Sequence, residues 1–175
     1  MRQPPTPEQC EQIQAALHED PSQLAVQLAR FVGVPEAAVI RLLPDGCSTE
    51  LDATRWQEIF DLLAETGKVH VVVSNTGVTC EVVGEFGGFS TWGEFFNVQT
   101  DTLDLHIRWR HLTEVFAVRR PTLRGGRTLS VQFFDEAGQA VMKVFLNFAG
   151  QPTPQREEQF EEFRRRFGSD PSASG

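Results

Sequence analysis

Hydrophobic positions recur every three or four places up to Thr66 and every second place from Lys68 onward, so the chain reads as helices followed by strands. Thr6, Pro7 and Gln9 predict a capped helix start, and Asp20, Pro21 and Gln23 repeat that arrangement, which places two helices beginning near residues 7 and 21. The second carries Leu24, Leu28 and Phe31 on one stripe and stops at Gly33. A third covers 35–43 with Ala38, Val39 and Leu42 inward before Pro44. A fourth runs over about 53–66, with Trp56, Ile59, Phe60 and Leu63 facing the core and Gly67 as its stop.

The period-2 half predicts a meander of antiparallel strands at 68–74, 78–85, about 92–99, 103–110, 113–120, 127–135 and 139–147. Asn75, Gly77, Gly87, Gly88, Gly125, Gly126 and Gly138 punctuate it, and Asp135 to Gly138 read as a short hairpin turn with Gly at the positive-φ place. A last helix over 155–167 buries Phe160, Phe163 and Phe167. The expected fold is therefore α+β, with N-terminal helices, a large antiparallel sheet and a C-terminal helix in one domain over 6–168. Residues 169–175, SDPSASG, read as a disordered tail.

Composition narrows the function classes. A chain of 175 residues holds one full core, and its 40% hydrophobic and 23% charged content is that of a folded protein. With 14 Phe, 3 Trp and no Tyr, the aromatic surface is almost wholly apolar and offers no phenol as acid, base or ligand. No basic start leads into an apolar run and nowhere do apolar residues run long enough to span a bilayer, so a soluble, cytoplasmic protein is expected. Cys10, Cys47 and Cys80 are odd in number and widely spaced, which fits reduced thiols; Cys80, in step with Val78 and Val82, reads as a small core residue.

Against a net charge of -8, the stretch LDLHIRWRHLTEVFAVRRP stands out. Strand parity puts Leu103, Leu105, Ile107 and Trp109 on one face and Asp104, His106, Arg108 and Arg110 on the other, so His106 points away from the core. His111, an odd number of residues further, faces the opposite side of a continuous strand, which makes the two histidines a poor chelating pair. From His106 to Thr128 six arginines meet Glu114 alone. Two readings stand: a solvated face whose arginines pair with helix carboxylates, or a site for an anion.

Motif support for other chemistry is lacking. No GxSxG, HExxH, HxH or GxxxxGK[ST] pattern occurs, and GEFGGFSTWGEFF has no following helix to make its glycines a phosphate loop. His18 and His70 read as structural. The second and third helices look like a helix-turn-helix, but Glu36, Ala37 and Arg41 leave its reading surface nearly neutral, so DNA binding ranks last and no nucleic-acid or membrane partner is expected.

The order QLAVQLARFVGVPEAAVIRLLP, EVVGEFGGFSTWGEFFNV, LDLHIRW and VFAVRRPTLRGGRTLSVQFFDEAGQAVMKVFL resembles the intracellular heme carriers of bacterial heme uptake, the ChuX/HutX-like family, from about residue 22 to 165. Its most specific pieces are SVQFFDEAGQAVMKVFL and VIRLLP; VFAVRRPT also resembles the related hemin-degrading factors, which look like two copies of this unit. The resemblance implies an antiparallel sheet flanked by helices, a homodimeric saddle, and heme binding in iron acquisition beside a heme-degrading partner. One family histidine lies in a GHI segment that His106 matches. The other precedes GYFN or GFFN, where this chain reads Trp92-Gly93-Glu94-Phe95-Phe96-Asn97, so Trp92 stands in its place and a neighbouring family histidine falls near Ser90.

Heme is a flat apolar disc with two carboxylates and an iron needing an axial ligand. Under the resemblance His106 is that ligand and the metal site, Arg108 or Arg110 meets the propionates, and Trp92 or Phe95 stacks on the porphyrin. The expected function is a cytoplasmic, dimeric heme carrier without catalysis of its own. The alternatives are a heme-degrading enzyme and a member that no longer binds heme.

Overall fold

The structure is a computed structural model that describes residues 4–122, 124–147 and 150–169. The tail residues 170–175 lie outside the described residues, whereas Ser169 donates its N–H to Glu50 O.

Three helices open the chain: α1 (Pro7–Glu19), α2 (Ala25–Val32) and α3 (Glu36–Arg41). At α1 the capping box forms as the sequence predicts, with Gln9 N–H donating to Thr6 Oγ1 at 3.2 Å and Thr6 N–H to Gln9 Oε1 at 2.9 Å. Asp20 instead closes a local turn, accepting from Ser22 N–H at 2.9 Å, and α2 starts only at Ala25. The later start changes which face is buried. Ala25, Leu28 and Ala29 point inward, while Leu24, outside the helix as its cap, is 53% exposed and Phe31 is 85% exposed. The expected stripe of Leu24, Leu28 and Phe31 is thus corrected by one position; the small alanines let α2 approach its neighbours closely, which a leucine and a phenylalanine there would prevent.

After β1 (Ser48–Leu51), a 3₁₀ turn at Ala53–Arg55 leads into α4 (Trp56–Glu65), which buries Trp56, Ile59, Phe60 and Leu63 as expected. The strands that follow are β2 (Lys68–Ser74), β3 (Thr79–Glu85), β4 (Phe89–Trp92), β5 (Phe95–Gln99), β6 (Asp104–Arg108), β7 (Glu114–Pro121), β8 (Arg127–Phe134) and β9 (Ala140–Phe145), and α5 (Pro154–Phe167) closes the chain. All pairings between strands are antiparallel.

These strands form two sheets rather than one meander: a six-stranded sheet in the order β1-β7-β8-β9-β2-β3 and a three-stranded sheet in the order β4-β5-β6. The expected strand over 92–99 is split by Gly93, at φ 58°, into the β4-β5 hairpin. Gly88 marks the crossing into the small sheet. It has φ 62°, and a Cβ there would lie 1.8 Å from Gln99 O, so only glycine fits.

One face of the large sheet, with Phe116, Val118 and Phe134, packs on α1, α2 and α3 through Ile13, Leu17, Leu28, Val39 and Ile40. On its other face Val71, Val115, Val131, Phe133 and Val144 meet α4, α5 and the inward residues Phe96, Val98 and Ile107 of the small sheet. Phe60 holds this second core together, with ring contacts to Trp56, Phe86, Phe89, Phe96 and Phe133. Full burial of such a side chain contributes about 1.5–3 kcal/mol. Phe160, Phe163 and Phe167 of α5 are buried as the sequence predicts. Cys80 departs from expectation: it is exposed, because β3 is the edge strand and its face overhangs the core.

Candidate functional site

Register in the small sheet sets out the site in cross-strand rows. Trp92 pairs with Phe95 and Phe95 with Arg108; Ser90 pairs with Asn97 and Asn97 with His106; Gln99 pairs with Asp104. Directly paired residues share a face. Phe96, Val98 and Ile107 are in the core, so Phe95, Asn97, His106 and Arg108 stand on the opposite, outward face, as parity requires of His106.

His106 is held rather than loose. Its Nδ1 lies 2.7 Å from Asn97 Oδ1, and Asn97 Nδ2 donates to Ser90 Oγ at 3.0 Å. That second bond orients the amide, and an amide oxygen only accepts, so the proton of the neutral imidazole is assigned to Nδ1 and the lone pair to Nε2. Asp104 Oδ1 is 3.6 Å from Nε2, beyond hydrogen-bond reach. Asn97 is buried at 6% exposure, which makes the anchor stiff.

Beside the imidazole, the Phe95 ring stands edge-on at 6.3 Å between centroids, and the Arg108 guanidinium lies 5.0 Å from the centre of that ring. Glu94 is 3.4 Å from Arg108 Nε, but both side chains are 57% exposed, so solvent weakens the pair. A cleft of about 390 Å³ is lined by Phe95, His106, Arg108, His111, Val73 and Met142, among others.

Two expected site residues are not among those that line this cleft. Arg110 is not on the strand face with His106, because β6 ends at Arg108 and a 3₁₀ turn spans Trp109–His111; its guanidinium sits 5.2 Å from the Trp109 ring, which itself stacks on Trp56 at 5.8 Å. Trp92 is 75% exposed across the hairpin from Phe95 and does not line the cleft. The same turn ends the strand parity that separated the two histidines, and both line one cleft.

The arginine surplus is mostly structural. Arg119 donates to Glu157 and Glu161 of α5 at 2.8 and 2.7 Å, and Arg127 lies 2.6 Å from Glu157. Arg120 donates to the carbonyls of Pro21 and Gln23, and burial pushes its pKa down. Arg108 is the member of the run placed beside His106. Sequence reasoning missed Asn97, whose role rests on the β5-β6 register and leaves no local signal.

An imidazole with an outward lone pair, an aromatic ring and a guanidinium on one sheet face suit a metal-bearing planar ligand with an acidic rim. The fold and this face define a class of small α+β proteins in which a helix-backed sheet carries a second, outward-facing one. An Agrobacterium tumefaciens protein of solved structure shares the fold with a TM-score of 0.80 and 25% identity, over 91% of this chain and 92% of that one. The heme-binding protein ChuX superposes with a TM-score of 0.76 at 24% identity, over 86% and 95% of the two chains. The intracellular heme transport protein HutX of Vibrio cholerae is 23% identical over 138 residues, 78% of this chain and 71% of that protein. Residues 49–165 match the family described as Haem utilisation ChuX/HutX, and the chain belongs to that family. Among the described residues no helix is long and apolar enough to cross a membrane.

Proposed function

We propose that this chain binds heme on the outward face of its small sheet and carries it in the cytoplasm to a degrading partner, without degrading it. The observation that carries the reading is the Asn97–His106 bond, which leaves Nε2 as the lone pair available to iron. The donor set suits heme: His106 supplies a nitrogen ligand, Phe95 an apolar ring, and Arg108 a charge for a propionate. Bound there, heme supplies an iron centre and an acidic edge; the protein's residues hold and orient it. Membership of a heme-utilisation family, with a named heme transporter among the relatives, supports the same ligand. Carriage rather than chemistry accords with an imidazole that is 55% exposed, since cargo must leave as well as bind.

Self-association belongs to this reading. β3 is an edge strand of the large sheet, and Val83 within it and Val78 just before it are 51% and 61% exposed, the kind of edge that pairs with another chain. Sedimentation of the purified chain is expected to give a dimer.

A hemin titration followed by the Soret band tests the ligand. The expected result is saturable binding that His106→Ala weakens at least tenfold; equal titration curves for the two proteins would remove the assignment. Reductant and oxygen added to the complex separate carrier from enzyme, because a carrier keeps its Soret absorbance while progressive bleaching to a bile-pigment spectrum means degradation.

A further inference from the structure

Resting on the heme reading above, we infer that His111 supplies a second imidazole to the iron held by His106. Strand parity alone would send His111 to the far side of the sheet. The chain abandons extended geometry at Arg108, however, and the 3₁₀ turn Trp109–His111 brings His111 to the lining of the same cleft. The turn is fixed at both ends. Trp109 stacks on Trp56 with ring planes 18° apart, Leu112 is 5% exposed, and the Leu112 N–H donates to Trp109 O at 3.0 Å.

His111 itself is uncommitted: among the described residues no hydrogen bond or ion pair engages its ring, so both nitrogens are open to a ligand. The two imidazoles differ in build. His106 is tied through Nδ1 to a buried amide, whereas His111 is exposed and unbonded, so the first is the firm ligand and the second the one that lets go. Val73 and Met142 line the cleft with them, giving an apolar wall for the ring system. Two ligands of unequal firmness, one on a strand and one on the turn that follows it, reconcile retention of heme with its release. The place left by Trp92, which does not line this cleft, is not needed for six-coordination.

Ferric hemin complexes of the full-length chain, of His111→Ala and of His106→Ala test this by absorption and electron paramagnetic resonance. The expected wild-type complex is six-coordinate and low-spin. His111→Ala is expected to keep hemin with an affinity within about tenfold and turn high-spin, and free imidazole is expected to restore the low-spin signal. His111→Gln, similar in bulk, is expected to behave as the alanine variant does. A His111→Ala spectrum matching wild type, with His106→Ala altered, overturns the role of His111 alone. A wild-type chain that gives no hemin spectrum overturns the heme reading and this inference with it.

Discussion

Asn97 and His106 face each other across two strands, and the 2.7 Å bond between Asn97 Oδ1 and His106 Nδ1 decides which nitrogen of the ring is available. Replacing the amide by an apolar group of similar size removes that decision. Asn97→Leu is expected to weaken hemin binding by about 10–100-fold, the usual cost of losing the group that orients a histidine ligand. Its thermal unfolding should stay cooperative, which a titration and a melting curve on one preparation will check.

The two arginines once grouped together on parity are separated by the end of β6. Arg108 lines the cleft over Phe95, and Arg110 lies over Trp109. A charge-assisted bond to a carboxylate is worth about 1.5–3 kcal/mol, or roughly tenfold and more in affinity. Arg108→Ala should therefore lower hemin affinity about tenfold, and Arg110→Ala by less than about twofold. Matching losses would show that both reach the ligand.

Phe60 is fully buried and touches five other aromatic rings. Phe60→Ala is expected to cost about 3–5 kcal/mol in denaturant unfolding, from lost transfer energy and the cavity left behind. Trp92→Ala, at a position 75% exposed, is expected to stay within about 0.5 kcal/mol.

Asp20 gives a pH-dependent test. The Ser22 hydroxyl and then the Ser22 N–H hold its carboxyl below its usual value near 3.8. Because the folded value lies below the unfolded one, the bonded carboxylate stabilises the fold above the unfolded value. That contribution fades as the pH falls through the folded value. Asp20→Ala should lower the melting temperature at neutral pH, and the difference between the two proteins should shrink as the pH falls through the folded value.

What could be read from residues alone was local. Thr6 with Gln9, Gly33, Gly67 and Gly138 mark stops and starts through their own backbone needs, and the alternation from Leu103 to Arg108 is enough to turn His106 outward. The misses share a different cause. Ser48–Leu51 and Phe89–Trp92 are short and carry little alternation, and they are strands because β7 and β5 pair with them. The α2 stripe was ambiguous because residues 24, 28 and 31 and residues 25, 28 and 29 satisfy one periodicity, and only the neighbouring helices choose between them. The division into two sheets depends on contacts far apart in sequence, whereas Asn97 meets His106 through the register of one strand pair and His111 joins His106 at one cleft through the turn that follows β6.

Among the described residues the small sheet shares no backbone ladder with the large one; packing of Phe96, Val98 and Ile107 seats it on the core. A unit attached in this way opens on its own, and at less expense in free energy than the whole molecule. Hydrogen exchange would therefore see β5 and β6 as an independent patch of faster-exchanging amides, and a molecule lodged against Phe95 and His106 would announce itself first as protection confined to that patch.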